Sequence, residues 1–124
     1  MQLLYVVSMD TKLTKIALAF PGTYMTEQWG GAHVFKVGMQ THFKMFAILR
    51  PGANRLTVKA PNAEIRAMLF EVGVAEAHSH MPRGNWMVLL LDKLDLEDVS
   101  ERMRTSYDLV SSNLPKRVRE ALLK

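Results

Sequence analysis

Leu13, Ile16, Ala17 and Phe20 recur at the i, i+3, i+4, i+7 spacing of one helix face, with Asp10 placed as an N-cap and Pro21-Gly22 as a terminator. The spacing predicts a first amphipathic helix. Beyond it the period drops toward two. Short β-prone runs at 23–29 and 33–37 flank Gly30-Gly31, a hairpin signal, and a third run at 43–49 is stopped by Pro51-Gly52. Arg55-Leu56-Thr57-Val58-Lys59 then alternates polar with apolar, which turns Leu56 and Val58 toward a core and Arg55, Thr57 and Lys59 away from it. Four strands therefore follow the first helix.

A second helix starts after Pro61 with Asn62 as its cap, carries Ile65, Met68, Leu69 and Val72 on one face, and ends at Gly73. Strand signals return at 74–78 and, more strongly, at 86–91. The second run is almost continuously apolar, too short for a typical helix and bounded by Gly84-Asn85 and Asp92, as expected of a central buried strand. Asp95, with Asp98 three residues on, opens a third helix whose apolar positions are Leu96, Val99, Met103, Tyr107 and Val110. Asn113-Leu114-Pro115 interrupts it, and Leu114, Val118, Ala121 and Leu122 form the stripe of a short terminal helix. The order α-β4-α-β2-α-α predicts an α+β fold: a two-layer sandwich in which an antiparallel sheet of five or six strands carries helices on one face. Leu56, Val58, Val88, Leu90, Met103 and Tyr107 are expected inside, and Trp29 and Trp86 read as core anchors.

Composition narrows the class. A chain of 124 residues supports one core and starves a second, so residues 1–124 read as one domain, with 1–8 as an N-terminal extension. With 48% apolar and 23% charged residues it matches globular averages and should fold. The absence of cysteine excludes disulfides, a thiolate nucleophile and Cys-based metal sites, and fits the cytoplasm. Residues 1–8 lack the basic leading segment of a signal peptide, and no apolar stretch approaches the ~18 residues of a membrane span.

The formal charge is only +4, but it is unevenly spread. Between His33 and Arg66 lie Lys36, Lys44, Arg50, Arg55, Lys59 and Arg66 against the single acid Glu64, whereas Asp92, Asp95, Glu97, Asp98 and Glu101 crowd one ten-residue segment beside Lys93. Such segregation points to an anionic partner. Lys36, Lys44, Arg55 and Lys59 on strands are candidates to meet successive phosphates, and Arg83, Lys116, Arg117 and Arg119 to form a second basic edge. The competing reading is that these are solvated charges on the open face of a half-covered sheet.

Other constellations are weaker. His78-x-His80 places two imidazoles on one side of a strand, with His33 and His42 elsewhere, but the acids have no ligand spacing and exposed loop histidines are expected. Ser106-Tyr107 has no base placed to activate the serine. Gly30-Gly31 leads into a strand rather than a helix, so a phosphate loop is unsupported. The expectation is a non-enzymatic protein without cofactor or metal that binds duplex DNA through phosphates. One alternative is a small-molecule-binding or sequestering module with a pocket near Trp86, Tyr107 and Lys116; another is an interaction domain, monomeric or weakly dimeric, that uses residues 3–7 as an edge strand.

Seven short motifs occur in order: Ala19-Phe20-Pro21-Gly22-Thr23, Phe35-Lys36-Val37, Lys44-Met45-Phe46-Ala47, Leu56-Thr57-Val58-Lys59, Pro82-Arg83-Gly84-Asn85-Trp86, Ser106-Tyr107 and Leu114-Pro115-Lys116-Arg117-Val118-Arg119. Through them the chain resembles the YjbR (MmcQ/YjbR) family from about Asp10 to its end. The resemblance implies a two-layer α/β fold similar to bacterial frataxin-like proteins and double-wing DNA-binding domains. The family's DNA-binding label rests largely on that fold likeness, which by itself does not carry function. Two departures stand out: residues 39–43 follow Gly38 where the family has a tight glycine turn, and residues 1–8 precede the usual family start near Met9.

Overall fold

The structure is a computed structural model and describes residues 8–122. The expected edge strand at 3–7 lies outside the described residues. Helix α1 (Met9–Ala19) leads into strands β1 (Thr23–Gln28), β2 (Ala32–Met39), β3 (His42–Leu49) and β4 (Arg55–Lys59). Helix α2 (Ala63–Glu71), strands β5 (Ala75–Glu76) and β6 (Trp86–Leu90), and helices α3 (Leu96–Ser111) and α4 (Lys116–Leu122) complete the order. The six strands form one antiparallel sheet in the order β1-β2-β3-β4-β6-β5. The α+β sandwich expected from the sequence is the observed architecture.

Ser8, not Asp10, caps α1. The Ser8 Oγ accepts the Thr11 N–H at 3.2 Å, while the Asp10 carboxylate accepts the Gly52 N–H at 2.8 Å and ties the start of the helix to the β3–β4 turn. Both residue types cap helices well, so sequence alone does not separate positions two residues apart. Asn62 and Asp95 cap α2 and α3 as expected, accepting from Ile65 N–H and Asp98 N–H at 2.8 and 2.9 Å.

The main core fills the space between sheet and helices. Leu56 and Val58 enter it from β4, opposite Leu13 and Ala17 of α1 and Val99, Met103 and Val110 of α3. In β6 the phase differs from expectation: Met87 and Leu89, paired with Val58 and Leu56, point into the core, while Val88 and Leu90 pair with Thr57 and Arg55 on the other face. An unbroken apolar run carries no period from which its inward face can be read. Trp29 is also not a core anchor, being 58% exposed in the β1–β2 turn, and Trp86 is only half-buried.

Strand β5 is two residues long instead of five, because the chain then leaves the sheet edge and arches over the face away from the helices. Met81 from this arch packs on a small second cluster of Ala32, Val34 and Ile48. Val88, expected in the core, is 9% exposed beneath the same cover.

Strand β3 contains a bulge. Phe35 pairs with Ala47 but Lys36 with Met45, leaving Phe46 as the extra residue. Its ring is buried 5.4 Å from that of Tyr107 and 6.0 Å from that of Phe20. Pairing of β3 with β4 ends at Ala47 and Val58, where the strands part. The fully buried Ser106 of α3 fills the break: its hydroxyl donates to the Phe46 carbonyl at 2.6 Å and accepts the Lys59 N–H at 2.9 Å. Tyr107 donates its own hydroxyl to the Pro21 carbonyl at 2.6 Å.

Residues 39–43 prove to be the two strand ends and the Gln40-Thr41 turn of an extended β2–β3 hairpin, closed by the pair Met39 and His42. Gly38 inside it has φ +127°, and a Cβ there would collide with the His42 carbonyl oxygen. Gly38→Ala is therefore expected to cost at least about 1–3 kcal/mol. A urea midpoint unchanged from wild type would contradict this hairpin geometry.

Candidate nucleic-acid interface

Strand alternation and the parting of β3 from β4 decide where the basic residues go. Lys36 lies between Phe35 and Val37 of the main core, so it turns to the face that the helices leave uncovered, where its Nζ sits 4.6 Å from the centroid of the Phe43 ring. Lys59 alternates with Val58 and turns to the same face. Its Nζ donates to the Gly84 carbonyl at 2.5 Å and lies 5.2 Å from the Trp86 ring centroid.

Beyond the bulge, Lys44 pairs with Val37 and belongs by register to the helix side. Lys44 and Lys59 nevertheless line one shallow cleft of about 310 Å³, together with Phe43, Trp86, Val110 and Asn113, because the gap between β3 and β4 joins the two sides. Among the described residues, Lys36, Lys44 and Lys59 form no ion pair; the pairs found are Arg55 with Glu76 at 3.4 Å and Arg104 with Asp108 at 3.6 Å.

Charge is sorted along α3. Asp95, Glu97, Asp98 and Glu101 occupy its first turns, where carboxylates complement the helix dipole, and the cleft with Lys44 and Lys59 adjoins Val110 and Asn113 at its other end. The sequence shows both clusters but not that one helix separates them.

The remaining sequence candidates are dispersed. Arg83 is exposed in the arch just before the Gly84 carbonyl that Lys59 holds. Lys116, Arg117 and Arg119 belong to α4, which packs in the helix layer through Val118, and the Arg119 Nε is turned back onto the Leu114 carbonyl at 3.0 Å. Arg55 is on the uncovered face but at the opposite end of β4 from Lys59, about 13 Å away by strand rise. Of the residues considered for a small-molecule pocket, Trp86 lines the cleft, Tyr107 is committed to the core and to Pro21, and Lys116 lies on α4.

A larger cavity of about 930 Å³ lies on the uncovered face, and the sequence reading did not find it. Ile48, Thr57 and Val88 form its floor, Trp29, Arg50 and Arg55 one side, and the arch through His78, His80 and Met81 the other. Both Arg50 Nη atoms donate to the Trp29 carbonyl at 3.3 Å. The His78 Nδ1 accepts the His80 N–H at 3.0 Å, and burial, helped by the neighbouring His80 charge, holds the His78 imidazole below its ordinary pKa. His33 and His42 sit at opposite ends of the β2–β3 hairpin. Among the described residues no three His, Asp or Glu side chains are grouped to hold a metal ion. No described helix is long and apolar enough to cross a membrane.

Fold and site together define a sheet domain of the two-layer α+β class, with helices on one face and a basic, aromatic-lined cleft beside the point where β3 and β4 part. The YjbR family model matches residues 18–109, and the chain belongs to the YjbR family. Its structure is also similar to the crystal structure of Deinococcus radiodurans protein DR2400, a DUF419 domain, with a TM-score of 0.81 and 24% identity over 93% of this chain and 87% of that one. This likeness shows the fold. A comparison with curated proteins gives no match.

Proposed function

We propose that this protein is a non-enzymatic nucleic-acid-binding domain that holds phosphates at the cleft where β3 and β4 part. The observation that carries the reading is the group of three lysines, Lys36, Lys44 and Lys59, without carboxylate partners among the described residues and set beside the rings of Phe43 and Trp86. Ammonium groups neutralise phosphates, and exposed rings offer faces to bases without selecting sequence. The non-enzymatic part is supported by the hydroxyls of Ser106 and Tyr107, both engaged with backbone carbonyls and buried.

Neutralised phosphates release condensed counterions, so log affinity for a labelled duplex should fall with log salt at a slope of about 0.9 per phosphate engaged. Changing Lys44 and Lys59 together to Gln should lower that slope by roughly two, while Lys12→Gln on α1 should leave it unchanged. Fluorescence anisotropy across a salt series reads both. A slope that survives the double substitution would overturn the assignment.

A further inference from the structure

We infer that the cavity on the uncovered sheet face receives one unpaired nucleotide, its base against Trp29 and its phosphate toward Arg50 and Arg55. This makes single-stranded nucleic acid the preferred ligand of the interface, and it rests on the nucleic-acid reading above. The volume of about 930 Å³ lies within the ~300–1,000 Å³ of small-ligand sites, far more than packing flaws leave between a loop and a sheet. Its lining is apolar at the floor, through Ile48 and Val88, with convergent polar groups at the sides, as such sites require.

One floor group is polar. Thr57 is 6% exposed and lines the cavity between Ile48 and Val88, the residues it pairs with on the two neighbouring strands. Its hydroxyl can donate to or accept from a molecule that enters the cavity, and base edges carry both donors and acceptors.

The charge matches too. Arg55 is balanced by Glu76 and Arg50 is not, so among the arginines and carboxylates that line the cavity one positive charge is left for one phosphodiester. Trp29, more than half exposed at the mouth, has a free face for stacking. A base within a duplex is stacked on both faces and cannot enter, whereas a base in a single strand can turn out of the stack at little cost. The lysine cleft and the cavity lie at opposite ends of β4 on the same sheet, so a strand held by its phosphates at the first passes the second.

The test uses the whole chain and anisotropy at low salt with a labelled oligonucleotide, alone and annealed to its complement, with adenosine monophosphate as competitor. The single strand is expected to bind at least about tenfold more tightly than the duplex. Trp29→Ala should weaken strand binding about tenfold and Thr57→Val a few-fold, both leaving duplex binding unchanged. Melting curves establish that the variants fold; Trp29 is exposed and Thr57→Val is nearly isosteric. Equal binding of strand and duplex, insensitive to both variants but still lost with Lys44 and Lys59, overturns the cavity assignment and leaves the phosphate reading standing. Saturable binding of adenosine monophosphate without binding of the strand assigns the cavity to a free nucleotide and overturns the strand. Failure of all three ligands removes both readings.

Discussion

Leu89→Ala is expected to lower the free energy of unfolding by about 2–5 kcal/mol, and Leu90→Ala by no more than about 1 kcal/mol, although the residues are adjacent and chemically identical. Leu89 is fully buried opposite Leu56 in the main core, so its truncation removes apolar contact and leaves a cavity that rigid neighbours fill only in part. Leu90 is half-buried opposite Arg55, where water already reaches its side chain. Urea titrations of the two variants measure the difference directly. Equal midpoints, or a lower midpoint for Leu90→Ala, would place β6 one residue out of the register described.

Ser106→Ala is the second change with a large expected effect, from the loss of one oxygen atom. The substitution removes the hydroxyl that bridges the Phe46 carbonyl and the Lys59 N–H, at the point where β3 and β4 no longer pair. Each stranded group costs about 1–3 kcal/mol. Beyond a lower urea midpoint, amide exchange at Lys59 gives a local readout, since its N–H has Ser106 as its acceptor. Exchange at Lys59 as slow in the variant as in wild type would mean that the backbone closes the break unaided.

The parts of the fold that read clearly from sequence are those where a period or a cap is unambiguous. The alternation Arg55 to Lys59 gives the faces of β4 correctly, because only one phase buries Leu56 and Val58. Asn62 and Asp95 stand alone before their helices, and both cap them. Where two physical cues compete, or none exists, the reading stops. Ser8 and Asp10 are both good caps, and the run 86–91 is apolar at every position. The bulge at Phe46 has no sequence marker, since both bulge neighbours are apolar, yet it sets the face of Lys44 and the gap that forms the cleft.

The candidate site is legible in its residue types but not in its geometry. Lys36, Lys44 and Lys59 stand out as cations on strands, but their meeting with Phe43 and Trp86 depends on two strands separating after three paired residues. The cavity is less visible still. Its far side comes from 77–81, a stretch whose alternating pattern suggests more strand than forms. Thr57 does carry a signal: it is the polar residue turned away from the core between Leu56 and Val58, on the face where the cavity forms.

The strand order sets a timetable for synthesis. Strands β1 to β4 pair in sequence, so this meander can close as it leaves the ribosome, but the neighbour of β4 on its free side is β6, encoded some thirty residues later. At ~5–20 residues per second, that side of β4 waits about 2–6 s for its partner, with Leu56 and Val58 still lacking α3, which will cover them beside α1. The Ser106 hydroxyl arrives later still, 60 residues after the carbonyl it caps. During this interval the nascent chain presents an unpaired β edge beside apolar side chains, the combination that recruits chaperones or a neighbouring chain. The most vulnerable moment in the life of this protein therefore falls between the emergence of residue 59 and the docking of α3.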